Sequence, residues 1–240
     1  SLIKDSILNG GTGTDDQLLL PTNFADSALI SSLSGAAVTF SDAFANSITG
    51  FETIKFSDIT LDALATLTLN GSVAPASVAE GSIALYDIGL SSASNGGTGL
   101  QAGESVAFSL SISNGTDSKP ANVGTDLGAL TTDLLSPAPG IVFRTVSADT
   151  AKGVIRVLAS ASTAIAAGTR IASLSLPVIA DLLNETDESF GVTLRDFVQA
   201  VAVTSTISNV VPVTIRLVDV NPIPRTVLEG SSASYAVELD

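Results

Sequence analysis

The 240-residue sequence contains no cysteine, histidine, methionine or tryptophan. Without thiol and imidazole side chains, the chain cannot form a disulfide, a zinc–thiolate site or a haem site. The same absences exclude catalysis by Ser-His-Asp and Cys-His arrangements. A secreted chain of this composition has to be stabilised by its core or by hard cations on oxygen ligands.

Aromatic residues and long apolar runs are also scarce. Aromatics make up 5% of the chain, although 45% of the residues are hydrophobic and the mean hydropathy is +0.47. No run approaches the roughly 18 apolar residues that a membrane-spanning helix needs. Paired carboxylates such as Asp181 and Glu185 would suit glycoside hydrolysis, but sugar clefts normally use aromatic platforms. Because the Gly-rich turns also lack a phosphate-loop Lys and Ser/Thr, we expect no enzyme.

The charge is strongly one-sided, with 24 acidic and 10 basic residues and a formal net charge of −14. Such a surface repels phosphate backbones and anionic lipids, which excludes a nucleic-acid-binding role. It attracts cations wherever several carboxylates converge on one point. Solubility alone is the alternative explanation of the acidic balance.

Alternating apolar and small polar residues predict an all-β chain. Three segments alternate with a period of two, as half-buried strands do: Val106–Ile112, Phe190–Leu194 and Val211–Leu217. Clusters of Gly, Asn, Asp and Ser separate such runs, which predicts an antiparallel β-sandwich. Helical patterns are weak, and the two candidates for short helices are Leu61–Leu69 and Asp126–Leu135.

The sequence also repeats itself. Val78-Ala-Glu80-Gly81-Ser82, followed by Tyr86 and Ile88, is similar to Val227-Leu-Glu229-Gly230-Ser231, followed by Tyr235 and Val237. A proline-containing segment precedes each copy, and the two Glu-Gly pairs lie 149 residues apart (229 minus 80). A tandem repeat of that period predicts that a second module starts near Asn221.

Residues 73–221 resemble a Calx-β domain, an immunoglobulin-like sandwich that binds calcium through loops at one end. Four pieces carry the resemblance, in the order that the family has them: Val78-Ala-Glu80-Gly81; Ser113-Asn-Gly-Thr116 with Gly124-Thr-Asp126; the acidic loop and strand Leu176–Leu194; and Val213-Thr-Ile215 ending at Asp219. The resemblance implies six ligands: Glu80, Asp126, Asp181, Glu185, Glu188 and Asp219.

The implied ligand set fits calcium, which takes six to eight oxygens from carboxylates and carbonyls on flexible loops. The sequence departs from the family where the family has consecutive aspartates. Here a single Asp181 follows Ala180, and a single Asp219 follows Val218. Fewer carboxylates imply weaker binding or fewer ions, and a sandwich that has lost its ions is the alternative.

The N-terminal segment resembles the end of an RTX calcium-binding repeat array. Gly10-Gly-Thr-Gly-Thr-Asp15 is similar to the repeat Gly-Gly-x-Gly-x-Asp, whose turns bind Ca²⁺ through carbonyls and the Asp. Gly50–Asp58 looks like the segment that closes such arrays. Only one repeat is present, and Asp16-Gln17 displaces the large apolar position. The resemblance implies a calcium ion at Asp15.

These features predict three parts: an RTX-like β-rich segment over 1–72, a Calx-β-like sandwich over 73–221, and the start of a second sandwich over 222–240. The expected function is that of a Ca²⁺-stiffened spacer in an adhesin or surface layer of a large secreted bacterial protein. Ser1–Gly10 lacks an apolar signal core, so we expect an internal fragment or type I secretion by a distal signal.

The expected partners are neighbouring modules of the same protein, with cell-surface polysaccharide or like subunits as further candidates. Two other functions stay open: an accessory domain of a secreted RTX-type enzyme, and a carbohydrate-binding module.

Overall fold

The structure is a computed structural model, and it describes part of the chain. The described residues are 7–9, 16–20, 23, 38–39, 47–49, 51–71, 77–93, 98–114, 120–180, 186–208, 210, 215–219 and 235–239. Of these, 7–9, 38–39, 47–49, 215–219 and 235–239 are described by their backbone alone.

The described residues form twenty β-strands and no α-helix. In chain order the strands are β1 (Ile7–Asn9), β2 (Gln17–Leu19), β3 (Val38–Thr39), β4 (Ser47–Thr49), β5 (Thr53–Lys55), β6 (Thr60–Asp62), β7 (Thr66–Gly71), β8 (Ser77–Ala79), β9 (Ile83–Ser92), β10 (Gly99–Leu100), β11 (Glu104–Asn114), β12 (Leu135–Pro137), β13 (Ile141–Asp149), β14 (Val154–Ala161), β15 (Ile165–Ala166), β16 (Arg170–Pro177), β17 (Glu188–Arg195), β18 (Ala200–Ser208), β19 (Ile215–Asp219) and β20 (Tyr235–Leu239). The described residues also contain no helix that is long and apolar enough to span a membrane.

Two packed sheets make a β-sandwich, so the predicted fold class is confirmed. The first sheet has nine strands along the path β2-β5-β6-β11-β17-β18-β8, and β14 and β13 extend it from the other edge of β11. The second sheet has the order β12-β16-β9-β7. The predicted strands at Val106–Ile112 and Phe190–Leu194 are confirmed as the centres of β11 and β17.

Period-two alternation builds the core between the sheets. Along β11, Val106, Phe108 and Leu110 are fully buried and point inward, and Tyr86 and Ile88 of β9 meet them from the second sheet. The Tyr86 hydroxyl and the Ser205 Oγ of β18 form a 2.8 Å hydrogen bond across the sandwich. Buried polar groups of this kind need such partners, because an unpaired one costs free energy.

Both predicted helices are wrong. Residues 61–69 contain the end of β6 and most of β7. Ala65, Leu67 and Leu69 are buried, and the residues between them are partly exposed, which is the alternation of a strand. The Asp126–Leu135 segment contains a single 3₁₀ turn, Thr132–Leu134. Leucine spacing at either site fits a strand that buries one face as well as it fits a short helix.

Four N-terminal strands form two parallel, hydrogen-bonded pairs. β1 lies beside β4 and β2 lies beside β5, each in parallel register, and the β5–β6 hairpin joins the first sheet because β6 pairs with β11. A second, smaller core lies on the outer face of that sheet. Its members are the buried residues Leu20, Ile54, Phe56, Leu61, Ala107, Leu158 and Phe197.

β7 lies on the N-terminal side of the predicted boundary at residue 72, yet it is an edge strand of the second sheet. The backbone therefore enters the sandwich by residue 66, and the segments on the two sides of that boundary share a sheet.

Candidate functional site

One end of the sandwich brings together several of the predicted ligand segments. β8 runs parallel to β18, and the backbone N–H of Glu80, just after β8, donates to the Ser208 carbonyl at 3.2 Å. On the other side of β18, Ile207 lies opposite Glu188, the first residue of β17. Glu80 and Glu188 therefore flank the same end of β18, and we name this end of the sandwich the Glu80 end.

The chain after β16 closes the Glu80 end. The Val178 N–H donates to the Ser82 carbonyl at 2.9 Å, and the Ile179 N–H donates to the Asp126 carbonyl at 2.9 Å. These two bonds tie the turn after Glu80, the loop that carries Asp126 and the segment before Asp181 to one another. The backbone segments that carry Glu80 and Asp126 are thus both held against residues 178–179.

A tight turn at Gly81 allows this approach. Gly81 has a positive φ of 74°, and a Cβ there would lie 3.2 Å from the Cβ of Ala180. Glycine adopts such a φ without the steric cost that a side chain brings. The glycine of the repeated Glu-Gly motif therefore allows the turn after Glu80 to lie close to Ala180.

Glu80 carries the most informative electrostatic feature of this end. Its side chain is partly buried, and its Oε2 atom is buried without a hydrogen-bond partner. Asp126 is different, because its Oδ2 accepts a hydrogen bond of 2.6 Å from the Asn122 N–H. A buried carboxylate oxygen without a donor is costly unless a cation or ordered water faces it.

The second buried carboxylate oxygen without a partner is the Oδ2 of Asp16. The backbone of Asp16 is tied to Glu52: the Asp16 N–H donates to Glu52 Oε2 at 2.6 Å, and the Glu52 N–H donates to the Asp16 carbonyl at 3.1 Å. Asp16 directly follows the Gly-rich sequence Gly10–Asp15, and Glu52 lies in the predicted closing segment. The Glu52 carboxylate therefore binds the backbone of Asp16 next to the point where β2 pairs with β5.

The structure describes some of the predicted ligands and not others. Asp181, Glu185 and Asp15 lie outside the described residues. Asp219 is the last residue of β19 and lies opposite Tyr235 of β20, and its side chain is not described. Among the residues that the structure describes, no group of three or more Asp or Glu side chains is placed to hold a metal ion.

Two acidic residues with special environments were not singled out from the sequence. Asp16 appeared only as a departure from the repeat pattern. Asp196 lies in the turn between β17 and β18, is fully buried, and accepts backbone hydrogen bonds at both carboxylate oxygens. Its signal was the Asp at the start of a four-residue connection between two strands, where an Asp side chain often accepts from N–H groups two residues on.

Comparison with known proteins identifies no family. No family model matches the sequence, and no curated protein matches it.

Several solved structures are similar in part, among them the following three. The cohesin module of a family 33 glycoside hydrolase from Clostridium perfringens ATCC13124 is 11% identical over 61% of this chain and 98% of that one, with a TM-score of 0.41. AvmM, which catalyses macrocyclization in alchivemycin A biosynthesis, is 7% identical over 65% and 95% of the chains, with a TM-score of 0.29. Domains 4–9 of the surface layer protein SbsC are 12% identical over 85% and 26%, with a TM-score of 0.21. At these scores the likenesses carry no argument about function.

Proposed function

We propose that this chain is a non-catalytic, calcium-binding structural module of a large secreted bacterial cell-surface protein. The module acts as a spacer that bound Ca²⁺ stiffens. One observation carries the calcium part. The two buried carboxylate oxygens without partners in the described chain, on Glu80 and Asp16, lie at the Glu80 end and beside Asp15. The sequence predicts calcium in both places.

The two buried carboxylate oxygens without partners are energetically costly. A buried acceptor left without a partner costs about 1–3 kcal/mol, and more when it is charged. Ca²⁺ removes this cost because it accepts six to eight oxygen ligands at flexible angles. At the Glu80 end, Ala180 lies next to Gly81, and two further acidic residues, Asp181 and Glu185, follow Ala180 in the sequence.

The overall charge favours the same ligand. A net charge of −14 raises the local concentration of cations around the chain. Lys and Arg partners do not account for the acidic surface, since the chain has 10 basic residues for its 24 acidic ones. Neutralisation of clustered carboxylates by a divalent ion lowers their mutual repulsion, which supports a stiffening role.

The proposed location rests on the sequence resemblance to RTX arrays and Calx-β domains. A sandwich without cysteines that is stabilised by a hard cation suits the calcium-rich, oxidising space outside the cell. Fractionation of the source cells, with detection of the chain in the surface fraction before and after a chelator wash, tests this location. Recovery of the chain from the cytosolic fraction alone would contradict it.

Calorimetric titration tests the calcium part. We expect binding of Ca²⁺ by the full chain, and a loss of about tenfold or more in affinity for Glu80→Gln, equivalent to about 1.4 kcal/mol. Asp16→Asn removes a second binding event if the N-terminal site is independent. The matched control is Asp133→Asn, because Asp133 is exposed and lies in the 3₁₀ turn. Equal effects of all three variants would show diffuse attraction to an acidic surface instead of sites.

A further inference from the structure

The backbone of the C-terminal strands repeats that of two strands in the sandwich. β7 and β9 form an antiparallel ladder at the edge of the second sheet, and β19 and β20 form an antiparallel ladder of their own. The two ladders pair in the same order: Leu67 with Leu90, Leu69 with Ile88 and Gly71 with Tyr86 in the first; Ile215 with Leu239, Leu217 with Val237 and Asp219 with Tyr235 in the second.

The residue types at the paired positions agree with this equivalence. In β7 and β9, the positions of Leu67, Leu69 and Ile88 are buried in the core of the sandwich. The equivalent positions hold Ile215, Leu217 and Val237. Alternation would be broken by a shift of one residue, because every apolar position would then move to the other face. The register of the β19–β20 ladder therefore places its apolar residues on the face that corresponds to the buried face of β7 and β9.

The connecting segments agree as well. Fourteen residues (72–85) join Gly71 to Tyr86, and fifteen (220–234) join Asp219 to Tyr235. Each connection contains a proline at the same distance before its Glu-Gly-Ser sequence, Pro75 in one and Pro224 in the other. The repeat thus extends through both strands and the connection between them, well beyond the Glu-Gly motif.

We infer that β19 and β20 are the first two strands of a second copy of the sandwich, and that the Glu80 end of the first copy is the surface facing this second copy. β19 then belongs to the second copy and is not the last strand of the first. The junction between the copies is the six-residue segment 209–214, upstream of the boundary at residue 221 that the sequence predicts.

The direction of the tandem follows from where each strand begins. β18 ends at Ser208, whose carbonyl accepts from the Glu80 N–H, so the chain leaves the first copy at its Glu80 end. β7 begins at the opposite end, where the Leu67 N–H donates to the Asp196 carboxylate. If β19 is equivalent to β7, the second copy begins at its own Asp196-like end. The two copies are then arranged head to tail.

The junction is short enough to keep these surfaces close. An extended chain advances at most about 3.5 Å per residue, so the steps from Ser208 to Ile215 span at most about 25 Å. The partner that fits the Glu80 end is therefore the opening end of a like module. This arrangement follows from strand register and connectivity, and it does not depend on the proposed calcium site.

A graft in the full chain tests the equivalence of the strand pairs. Residues 67–90 are replaced by a copy of 215–239, and in the matched control by a copy of 216–240, which shifts every side chain to the other face. We expect cooperative urea unfolding for the first graft and loss of the cooperative transition for the shifted graft. Equal loss of the transition in both grafts would overturn the equivalence.

A distance measurement in the otherwise unaltered chain tests the direction without a graft. Because the sequence has no cysteine, spin labels can be placed on cysteines introduced by Ser82→Cys with Arg216→Cys, and by Ser82→Cys with Asp219→Cys. Ser82 is exposed and lies at the Glu80 end, and the other two positions lie near the two ends of β19. We expect the first distance to be shorter than the second by about 10 Å, the length of three strand residues, because β19 runs away from the first copy in a head-to-tail tandem. A shorter distance to Asp219 than to Arg216 would overturn the head-to-tail arrangement.

Discussion

The two ends of the sandwich treat a carboxylate in opposite ways. At one end, Asp196 is fully buried, and its oxygens accept backbone hydrogen bonds from Leu67 at 2.8 Å, Val198 at 2.8 Å and Gln199 at 2.7 Å. At the other end, Oε2 of Glu80 is buried and has no partner. The chain therefore satisfies one carboxylate with its own N–H groups and leaves an oxygen of the other without a donor.

This difference separates the structural role of Asp196 from the ligand role that we propose for Glu80. The Asp196 bonds join the turn after β17 to the first residues of β7, so that this carboxylate fastens one sheet to the other. Gln199 strengthens the same link, because its Nε2 donates to the Leu67 carbonyl at 2.9 Å. No cation is needed where three donors already converge, whereas the Glu80 oxygen gains from one.

The largest expected effect comes from removal of the fastened carboxylate. Asp196→Ala leaves one buried and two partly buried N–H donors without their acceptor, and we expect the free energy of unfolding to fall by about 3 kcal/mol. Asp196→Asn keeps one oxygen acceptor and should cost less. Urea unfolding measures both, with Asp133→Ala as the exposed control that changes stability by at most about 0.5 kcal/mol. A small loss for Asp196→Ala would remove the contrast between the ends.

A smaller effect is expected from the neutral hydrogen bond that crosses the core. Tyr86→Phe removes the hydroxyl that pairs with Ser205, and we expect a loss of about 1 kcal/mol. Because this pair is not part of the carboxylate site, the variant should respond to calcium as the parent chain does. Loss of the calcium response in Tyr86→Phe would mean that general packing, and not the Glu80 carboxylate, controls it.

The smallest effect concerns the pH dependence of the Asp196 link. Burial raises the pKa of Asp196 above its ordinary value, while the hydrogen bonds from Gln199, Leu67 and Val198 lower it by less. A carboxyl group whose pKa is higher in the folded state contributes stability below its unfolded pKa and loses that contribution as pH rises through the folded value. We therefore expect the stability of the parent chain, relative to Asp196→Asn, to fall as pH rises through the acid range. Unfolding of both chains in urea across that range measures this difference, and a difference that grows with pH would contradict it.

Alternation allowed much of the fold to be predicted from the sequence. Val106–Ile112 and Phe190–Leu194 each bury every second residue against the core. Because a strand has a side-chain period of two, this alternation predicts both the strand and the face that it buries. The helix predictions failed because Leu61–Leu69 spans two strands, and a sequence of that length does not reveal where the direction of the chain changes. The alternation of apolar residues in β7 is visible in the sequence, but the turn between β6 and β7 is not.

The candidate site was predictable only in part. Glu80 was identified through its Glu-Gly motif, and the structure adds that Gly81 permits the contact with Ala180. Asp196 and Asp16 were missed because their environments depend on partners far away in the sequence. Leu67 lies 129 residues before Asp196, and Glu52 lies 36 residues after Asp16. Local sequence carries no record of such partners.

We propose above all that the Glu80 end binds calcium and that the Asp196 end does not. This proposal is tested most directly by the urea midpoint of the parent chain and of Glu80→Gln, each measured with EDTA, with millimolar Ca²⁺ and with millimolar Mg²⁺. For the parent chain we predict a gain of about 2.7 kcal/mol at a Ca²⁺ concentration 100 times the Kd, and a much smaller gain with Mg²⁺, which demands a stricter geometry. For Glu80→Gln the part of the calcium gain that comes from the Glu80 end should be absent. Identical midpoints of the parent chain under all three conditions would contradict the account.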